Sequence, residues 1–444
     1  MKQWMLLWFG MALLAGCRRT TNEAGFQQIS RNQMIDCNHK LTQVIITDVL
    51  SPPVCSRIYA YCNIAAYEAL VPSDSTHTYA SFAGRLNGLS PLPKPAVNIR
   101  YSFPIASRIA FFTTAKKLVF NGEAIAAMEA AYLQQLDSLA VDETVLDSSV
   151  SYGREVGNHI LAWAAKDGYL QRNSFVGYIV TKESGRWVPT PPDYMDAVEV
   201  NWKTIRPFLL DSAAEFRPAP PILYDTTKGS AFYKEAYQVY DAVAHPKAGD
   251  SATAWYWDDN PNTSVTDGHI TYFQQKNSPP GHWIHIACSV AGKENYDALK
   301  TASLLSQTSV ALFDAFVSCW EAKYHYNYIR PETFINRYID KDWLPLIQTP
   351  PFPEYPSGHS TISAAATTVL TKMVGDNYAF IDSSEVPYGR PVRSFHSFYD
   401  ASDQASISRM YGGIHFLNAL NTGRGMGKEI GALVVKKLDD TDIK

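Results

Sequence analysis

The chain has 444 residues, of which 46% are apolar and 18% are charged. This composition is typical of a packed globular protein and argues against extensive disorder. The formal net charge of −4 gives no support for nucleic-acid binding, which needs a basic face. Any anion site must therefore be a local cluster of cations.

The chain begins with an apolar segment that has the form of a secretory signal. Such a segment is too short and wrongly flanked to be a membrane span. Its end, LLAGC, resembles the bacterial lipobox, which implies a signal peptide over residues 1–16 and lipidation of Cys17. We expect a tether over residues 17–40 and a lipid-anchored protein facing the periplasm or the cell exterior. The alternative is an ordinary signal peptide. No later stretch has the uncharged apolar length that spans a bilayer.

Five further cysteines follow Cys17, and an odd number in an oxidising compartment leaves at least one free thiol. Their spacings match no zinc pattern, so most are predicted to be small buried side chains. A disulfide among the first three is left open. The five are Cys37, Cys55, Cys62, Cys288 and Cys319.

Helical periodicity dominates the chain, and there is no run of alternating strands and no βαβ rhythm. A long excursion over about 168–230 is rich in Pro, Tyr and Trp and predicts ordered loops. We predict an all-α fold, with a single large domain over residues 41–444 that contains two helical bundles. The glycines of NTGRGMGKEIG follow no apparent strand, so close helix packing explains them better than dinucleotide binding. Helices are predicted over about 57–70, 98–117, 122–139, 148–166 and 231–244, and from 282 onward.

The stretch 301–329 predicts a helix whose apolar stripe carries two cations. Lys323 and Arg330 lie on the same face as Phe316, because seven residues make nearly two full helical turns. Cations on a core-facing stripe are costly unless an anion meets them. The alternatives are that both side chains reach solvent at the helix end, or that they pair with acidic residues elsewhere.

The segment PPFPEYPSGHST predicts a helix start directly after a rigid, proline-rich stretch. Ser357 is a candidate cap, and apolar residues recur at helical spacing after His359. The free N–H groups near Gly358 and the positive end of the helix dipole favour an anion. A merely capped surface helix is the alternative. A histidine beside an anion could act as general acid or base.

The segment SRMYGGIH supplies a third cation and a second histidine. Arg409 and His415 would lie about 120° apart on an ideal helix. Gly412 and Gly413 lie between them, so a break there could direct both side chains to one site. Taken alone, His415 would be a satisfied core histidine.

The three segments together suit a highly charged tetrahedral oxyanion. Their order is Lys-x6-Arg-Pro, then Pro-Ser-Gly-His, then Ser-Arg-x5-His. This pattern, over residues 323–415, resembles the signature shared by vanadium-dependent haloperoxidases and type 2 phosphatidic acid phosphatases. The resemblance implies an all-α fold with the oxyanion inside a helical bundle. Lys323, Arg330 and Arg409 would neutralise its oxygens, and Ser357 and the Gly358 N–H would add hydrogen bonds.

The resemblance also implies roles for the two histidines. His415 would be the ligand to vanadium, or the nucleophile on phosphorus, and His359 would be the acid and base. The family often continues with an aspartate four residues after the histidine that corresponds to His415, and this aspartate raises its basicity. Ala419 occupies that position here. Asn418, Asn421 or an acidic residue from another loop are the candidate replacements.

Two aromatic residues bear on the choice between the two activities. Trp320 and Phe352 resemble positions that line the halide site of chloroperoxidase-type members, although both could be plain core residues. The chain length and the WYWDDNPN loop, where Asp258 or Asp259 could hold an arginine, also resemble the bacterial haloperoxidases. We therefore favour a vanadate-dependent haloperoxidase, with hydrogen peroxide and halide as its small-molecule substrates.

In that activity His359 would help to deprotonate the peroxide, Lys323 would polarise one of its oxygens, and halide would leave as hypohalous acid. The alternative is an acid phosphatase that needs no metal, in which His415 attacks phosphorus to form a phosphohistidine and His359 protonates the leaving alcohol. A third possibility is a lipoprotein without catalytic activity that binds glycan or oxyanion.

Overall fold

The computed structural model describes residues 23–438 except 262. Helices account for most of this part of the chain, which confirms the prediction of an all-α fold. Thirteen α-helices are present among the described residues: α1 (Glu23–Thr47), α2 (Pro52–Leu70), α3 (Phe103–Leu118), α4 (Gly122–Ser138), α5 (Glu143–Ala164), α6 (Ala231–Ala244), α7 (Asp250–Tyr256), α8 (Pro279–Lys293), α9 (Ala298–Tyr326), α10 (Pro331–Tyr338), α11 (Gly358–Val374), α12 (Phe398–Tyr411) and α13 (Leu417–Leu438).

Short strands pair only as two antiparallel ribbons within the described residues. In the first ribbon, β1 (Ser264–Asp267) pairs with β2 (Ile270–Phe273). In the second, β3 (Phe380–Asp382) pairs with β4 (Arg393–Phe395). Each strand has only three or four residues, so the ribbons do not form a separate layer of the fold.

Helix α9 forms the centre of the fold. The Asp297 side chain caps its first turn by accepting the Lys300 N–H at 2.7 Å. All its residues from Thr301 to Lys323 are buried. It packs against α2, α8, α11 and α13 and so touches the helices of both halves of the chain. By length and composition alone, this helix could cross a membrane. Its most apolar stretch is wholly buried in the protein, as is typical of a core helix.

Helices α11 and α13 approach each other closely through glycines. A Cβ added at Gly423 would lie 2.8 Å from the Ser357 carbonyl oxygen, and one at Gly427 would lie 2.1 Å from the Thr361 carbonyl oxygen. A Cβ at Gly425 would meet nothing within 4 Å. The prediction of close packing is therefore confirmed for the first and third of these glycines and wrong for the second.

The excursion predicted over 168–230 is a long ordered loop with two short 3-10 turns, Gln171–Ser174 and Trp202–Thr204. The N–H groups of Phe208 and Leu209 donate to the buried Asp314 carboxylate of α9 at 2.7 and 2.8 Å. A buried carboxylate that accepts main-chain donors fixes a loop that has no regular ladder of its own. The excursion is thereby attached to the central helix.

The tether predicted over residues 17–40 is wrong from Glu23 onward. Those residues belong to α1, in which Met34, Cys37 and Leu41 are buried in the core. The apolar side chains in this polar-looking segment recur at helical spacing and pack against α3, α8 and α9. The predicted signal peptide and Cys17 lie outside the described residues.

The cysteines of the described chain are all free and buried, as predicted for most of them. Burial raises the pKa of Cys37 to about 11 and that of Cys55 to about 12. The disulfide that the sequence left open among Cys37, Cys55 and Cys62 is not formed in this structure.

Candidate active site

The two cations of the predicted 301–329 segment reach one place from different elements, Lys323 from α9 and Arg330 from the turn before α10. The helix ends at Tyr326, and Asn327 follows in a left-handed conformation with φ of 48°. Arg330 is extended, with φ of −82°, and precedes the first turn of α10. The prediction that Lys323 and Arg330 share a face of one helix is therefore wrong, because the proline after Arg330 excludes helical backbone before it. The turn nevertheless brings both side chains back to the proline-rich segment.

Main-chain carbonyls of that segment hold Lys323, which is fully buried. Its Nζ donates to the carbonyls of Pro353, Glu354 and Pro356 at 2.9, 3.0 and 2.6 Å. Burial, with the neighbouring charge of Arg330, lowers the pKa of Lys323 to about 7. Neither alternative for this lysine, a route to solvent or an acidic partner, is realised. The prolines explain the arrangement, because they have no N–H and leave their carbonyls unpaired by regular structure.

Arg330 lies beside the same segment and is also fully buried. Its Nε donates to the Phe352 carbonyl at 2.9 Å, and its Nη1 donates to the Ile414 carbonyl at 2.9 Å. Its Nη2 is buried without a hydrogen-bond partner. Burial lowers the pKa of this guanidinium to about 10. One of its nitrogens is therefore free to bind an anion.

The start of α11 matches the prediction. Ser357 caps the helix, and its Oγ accepts the Ser360 N–H at 3.3 Å and the Ser360 hydroxyl at 3.0 Å. Because Ser357 accepts both bonds, its own hydroxyl proton remains available for a ligand. Gly358 is the first helical residue, whose N–H has no partner within the helix. A Cβ placed there would come no closer than 3.5 Å to Trp320, so this part of the backbone is open to a small ligand.

His359 faces the site as a neutral imidazole. The main chain of Trp257 is hydrogen-bonded to its ring, and its Nε2 is buried without a partner. Burial and the nearby charge of Arg409 lower its pKa well below the usual value. Nε2 can therefore act as a proton acceptor at neutral pH.

A break after α12 brings Arg409 and His415 together, as the glycines predicted. The helix ends at Tyr411, and Gly413 has φ of 83°, which favours glycine. Arg409 Nη1 donates to the Trp257 carbonyl at 2.5 Å, and Nη2 lies 3.9 Å from Asp258 Oδ1. Its Nε and Nη2 make no hydrogen bond. The predicted aspartate partner for an arginine is thus Asp258.

A carboxylate that we did not predict holds His415. Glu354 Oε1 lies 2.8 Å from His415 Nδ1 and also accepts the Phe416 N–H at 3.0 Å. The other ring nitrogen, Nε2, lies 3.1 Å from Arg330 Nη1. Because Nη1 can only donate, Nε2 carries the lone pair and Nδ1 carries the proton. The ring is oriented as a ligand histidine requires.

Glu354 replaces the aspartate that is missing at Ala419. Of the candidate replacements, the structure selects an acidic residue from another loop. Ala419 is fully buried, and its carbonyl accepts the Ser357 N–H at 3.1 Å. Burial raises the pKa of Glu354 to about 8, against the lowering effect of Arg330 and Lys323. The signal in the sequence was a single acidic residue inside an apolar, proline-rich stretch.

Six of the predicted site residues line one small cavity, whose volume is about 30 Å³. Trp320 and Phe352 form its apolar side, with ring centroids 4.9 Å apart. A water molecule needs about 10–15 Å³ of such space, so the cavity suits small inorganic groups. Lys323, Arg330 and Ser357 lie next to this lining. The six are Trp320, Phe352, Gly358, His359, Arg409 and His415.

The donor set fits a tetrahedral oxyanion such as vanadate. Arg330 keeps one buried guanidinium nitrogen without a hydrogen bond and Arg409 keeps two, and such groups are costly to leave without hydrogen bonds. Burial also lowers the pKa of Arg409 and of His415, and the surrounding cations lower that of His415 further. A bound anion would accept hydrogen bonds from these donors and would reduce the mutual repulsion of the cations.

Comparison with known proteins finds a family model and related crystal structures. The family described as the VCPO second helical-bundle domain matches residues 303–441. A crystal structure of a bacterial vanadium-dependent iodoperoxidase, described as the first, is 42% identical. It has a TM-score of 0.87 and covers 92% of this chain and 96% of its own.

More distant structures share the fold. Holo and apo crystal structures of a bacterial vanadium-dependent chloroperoxidase are each 17% identical, with TM-scores of 0.67 and 0.65. Both cover 88% of this chain, and they cover 93% and 95% of their own chains. No curated protein matches the chain significantly. The identity and coverage of the iodoperoxidase structure show that this chain belongs to the family of bacterial vanadium-dependent haloperoxidases.

Proposed function

We propose that this protein uses vanadate to oxidise halide with hydrogen peroxide. One observation carries the proposal: buried, unpartnered guanidinium nitrogens of Arg330 and Arg409 meet a histidine whose proton is fixed on the far nitrogen by Glu354. A tetrahedral anion placed there would satisfy the guanidinium donors. His415 Nε2, whose lone pair accepts from Arg330 Nη1 in this structure, would exchange that contact for the anion.

The chain's residues hold the anion in distinct ways. His415 Nε2 would be the ligand, and Arg330, Arg409, the Gly358 N–H and the Ser357 hydroxyl would bind the oxygens. When bound, vanadate would supply Lewis-acid activation of the peroxide.

Lys323 would act mainly through its charge. All three of its protons already point to carbonyl oxygens, so a direct bond to an oxygen in the cavity would require one of these contacts to break. We therefore propose that the charge of this lysine raises the electrostatic potential in the cavity without a direct contact to the anion.

His359 would remove the proton from hydrogen peroxide. Its Nε2 is free, lines the cavity and is not protonated at neutral pH. The peroxide O–H bond would break with its electrons left on oxygen, and the proton would pass to Nε2. The hydrogen bond that the ring donates to the Trp257 main chain keeps it in place for this transfer.

We propose iodide as the halide that is oxidised most readily. The 42% identical structure is described as an iodoperoxidase. The chloroperoxidases, at 17% identity, support only the fold. Trp320 and Phe352 form an apolar wall beside the cations. A large, weakly hydrated halide loses less hydration energy than chloride on entering such a wall.

The cavity size argues against the phosphatase alternative. About 30 Å³ corresponds to roughly two or three water molecules, which leaves no room beside an oxyanion for the alcohol part of a phosphate ester. A glycan-binding function leaves the unpaired arginines unexplained.

A paired assay tests the proposal. Purified residues 18–444 are loaded with vanadate or with phosphate, and each sample is tested for peroxide-dependent oxidation of iodide, bromide and chloride. Hydrolysis of a chromogenic phosphate ester is measured in parallel, with His415→Ala as the control. We expect iodide oxidation that needs both vanadate and His415. Ester hydrolysis by the metal-free protein, or inactivity in both assays, would refute the proposal.

We also propose that the protein is anchored to the membrane through lipid on Cys17, facing the periplasm or the cell surface. The LLAGC sequence supports this. In a bacterial host, we expect the wild-type chain to partition into detergent and to incorporate labelled fatty acid, and Cys17→Ser to do neither. A wild-type chain that is released without lipid would contradict the anchor.

A further inference from the structure

A buried network of carboxylates surrounds His282 on α8, directly behind the cavity. Its Nδ1 lies 3.0 Å from Asp259 Oδ2, and its Nε2 lies 2.7 Å from Asp382 Oδ2. The Tyr256 hydroxyl donates to the same Asp382 oxygen at 2.7 Å. Glu385 Oε1 lies further from Nδ1, at 3.8 Å. Since both ring nitrogens face carboxylates, His282 is held as an imidazolium.

Asp259 connects this network to the cavity. Its Oδ2 accepts from His282, whereas its Oδ1 is buried and has no hydrogen-bond partner. Asp259 lines the cavity together with His359 and Arg409. An unpaired carboxylate oxygen is unexpected in a pocket that is built for an anion, because it repels the anion and is costly to bury.

An acceptor at this position is useful if hydrogen peroxide binds in the cavity. The peroxide is neutral and has two O–H donors, whereas the arginines, the Gly358 N–H and the Ser357 hydroxyl offer donors. His359 Nε2 can accept one of the two protons in a hydrogen bond. The second O–H needs another acceptor, and Asp259 Oδ1 is available on the cavity wall.

We propose that Asp259 binds hydrogen peroxide, by accepting its second O–H bond at Oδ1 while His359 accepts the first. Asp259 is then a catalytic residue because it touches the substrate, and His282 is a positioning residue that acts through it. The inference rests on the proposed function, since it assigns the peroxide site of that reaction.

The surroundings orient Asp259 and pair it with a cation. Burial opposes the charge of His282, but Asp259 and Asp382 raise its pKa well above the usual value. The ring of His282 also stacks on Trp257, with centroids 4.5 Å apart. The ionisable groups that face the network are Asp259, Asp382, Glu385, Tyr256, His285, Tyr388 and, from the cavity side, Arg409.

Asp259→Asn tests the acceptor with little change of shape. The His282 Nδ1–H must keep an acceptor, so the new amide would turn its oxygen to His282 and its NH₂ to the cavity. An acceptor for peroxide thereby becomes a donor. We expect the KM for peroxide to rise about 10- to 100-fold, the range for a lost hydrogen bond to a charged group. Vanadate affinity should be unchanged or higher, because a negative charge is removed beside the anion.

Two measurements separate this role from a structural one. Vanadate affinity is measured by calorimetry. Peroxide binding is then followed without halide, by titrating the vanadate-loaded protein and recording its near-ultraviolet absorbance. Asp259→Ala, which introduces no donor, should weaken the peroxide response as well. Glu385→Gln is the matched control, because it changes a carboxylate of the same network that does not line the cavity, and it should leave peroxide binding within about twofold of wild type.

The outcomes are distinct for the two proposals. If Asp259→Asn binds peroxide like wild type, or loses vanadate affinity in parallel, the assignment is wrong. Equal weakening of peroxide binding by Glu385→Gln would also overturn it, because the network would then act only through structure. A wild-type protein that responds to peroxide but oxidises no halide would refute the proposed function and leave the peroxide site in place.

Discussion

At the scale of single residues, Glu354 fixes the proton of His415 on Nδ1 and leaves the lone pair on Nε2, as the proposed ligand role requires. The position where the family often has aspartate is Ala419 in this chain. That difference by itself predicts a His415 of reduced basicity. The structure supplies the carboxylate from the proline-rich segment, 2.8 Å from Nδ1. The same interaction is therefore made from a different place in the sequence.

We expect Glu354→Gln to lower vanadate affinity by about 10- to 100-fold, as loss of an orienting carboxylate does for other ligand histidines. Calorimetric titration with vanadate measures the effect. Glu235→Gln is the control, because Glu235 accepts the Asn418 N–H at 3.1 Å in the same region but does not contact His415. Equal affinities of the two variants would show that Glu354 does not orient the ligand.

Lys323 and Glu354 also predict how anion binding depends on pH. As the pH rises, Lys323, with its pKa lowered to about 7, loses its positive charge, and Glu354, with its pKa raised to about 8, gains a negative charge. Both changes weaken anion binding. His359 and His415 have pKa values well below the usual range and stay neutral throughout.

Affinity for sulfate, whose own charge is constant here, should therefore fall between about pH 6 and about pH 9. Binding should be accompanied by proton uptake near the middle of that range, since the anion stabilises the charged lysine. Calorimetry in two buffers of different ionisation enthalpy measures both quantities. A constant affinity without proton uptake would contradict the assignment of these two groups.

At the scale of elements, the packing of α13 against α11 holds the start of α11 in place. Ser357 and Gly358 depend on it, because Gly423 approaches the Ser357 carbonyl and Gly427 approaches the next turn. Neither glycine is needed for an unusual backbone conformation. Both are needed because the helix axes are close.

Gly427→Ala should destabilise the protein by about 1–3 kcal/mol or more, since its Cβ would lie 2.1 Å from a main-chain oxygen. Gly425→Ala, two residues away on the exposed side of the same helix, should instead stabilise it by about 0.5–1 kcal/mol. Denaturant unfolding of the two variants gives both values. If the two variants had the same stability, the helices would not be in close contact at Gly427.

At the scale of the whole molecule, burial governs the chemistry of the cysteines. All five in the described chain are buried and free, and burial raises their pKa values. For the chain from residue 18, we expect no reaction with a thiol reagent in the native state and five reactive thiols after denaturation. Mass measurement before and after reduction should show no disulfide. Rapid labelling of the native protein would contradict the packing of α1 and α2.

Part of the site was predictable because it depends on residues that are close together in the sequence. The cap at Ser357 and the break at Gly412 and Gly413 follow from residue types and short spacings, whereas the shared site of Lys323, Arg330 and Arg409 was implied by the family resemblance of the three segments. The shared helical face of Lys323 and Arg330 was the wrong reason for expecting both side chains at one site, although both do reach the proline-rich segment. A proline ended the helix, and the following turn restored the convergence.

The sequence by itself determined the all-α class, the proline-rich stretch before α11 and the set of cations and histidines, because periodicity, capping and breakers act over a few residues. The tertiary structure alone decided which carboxylates meet His415 and His282, and that α1 belongs to the core. Glu354 and His415 are far apart in sequence, as are Asp259, His282 and Asp382. Such pairs form only when helices pack, since the cost of burying a charge is recovered only where its partner is buried beside it.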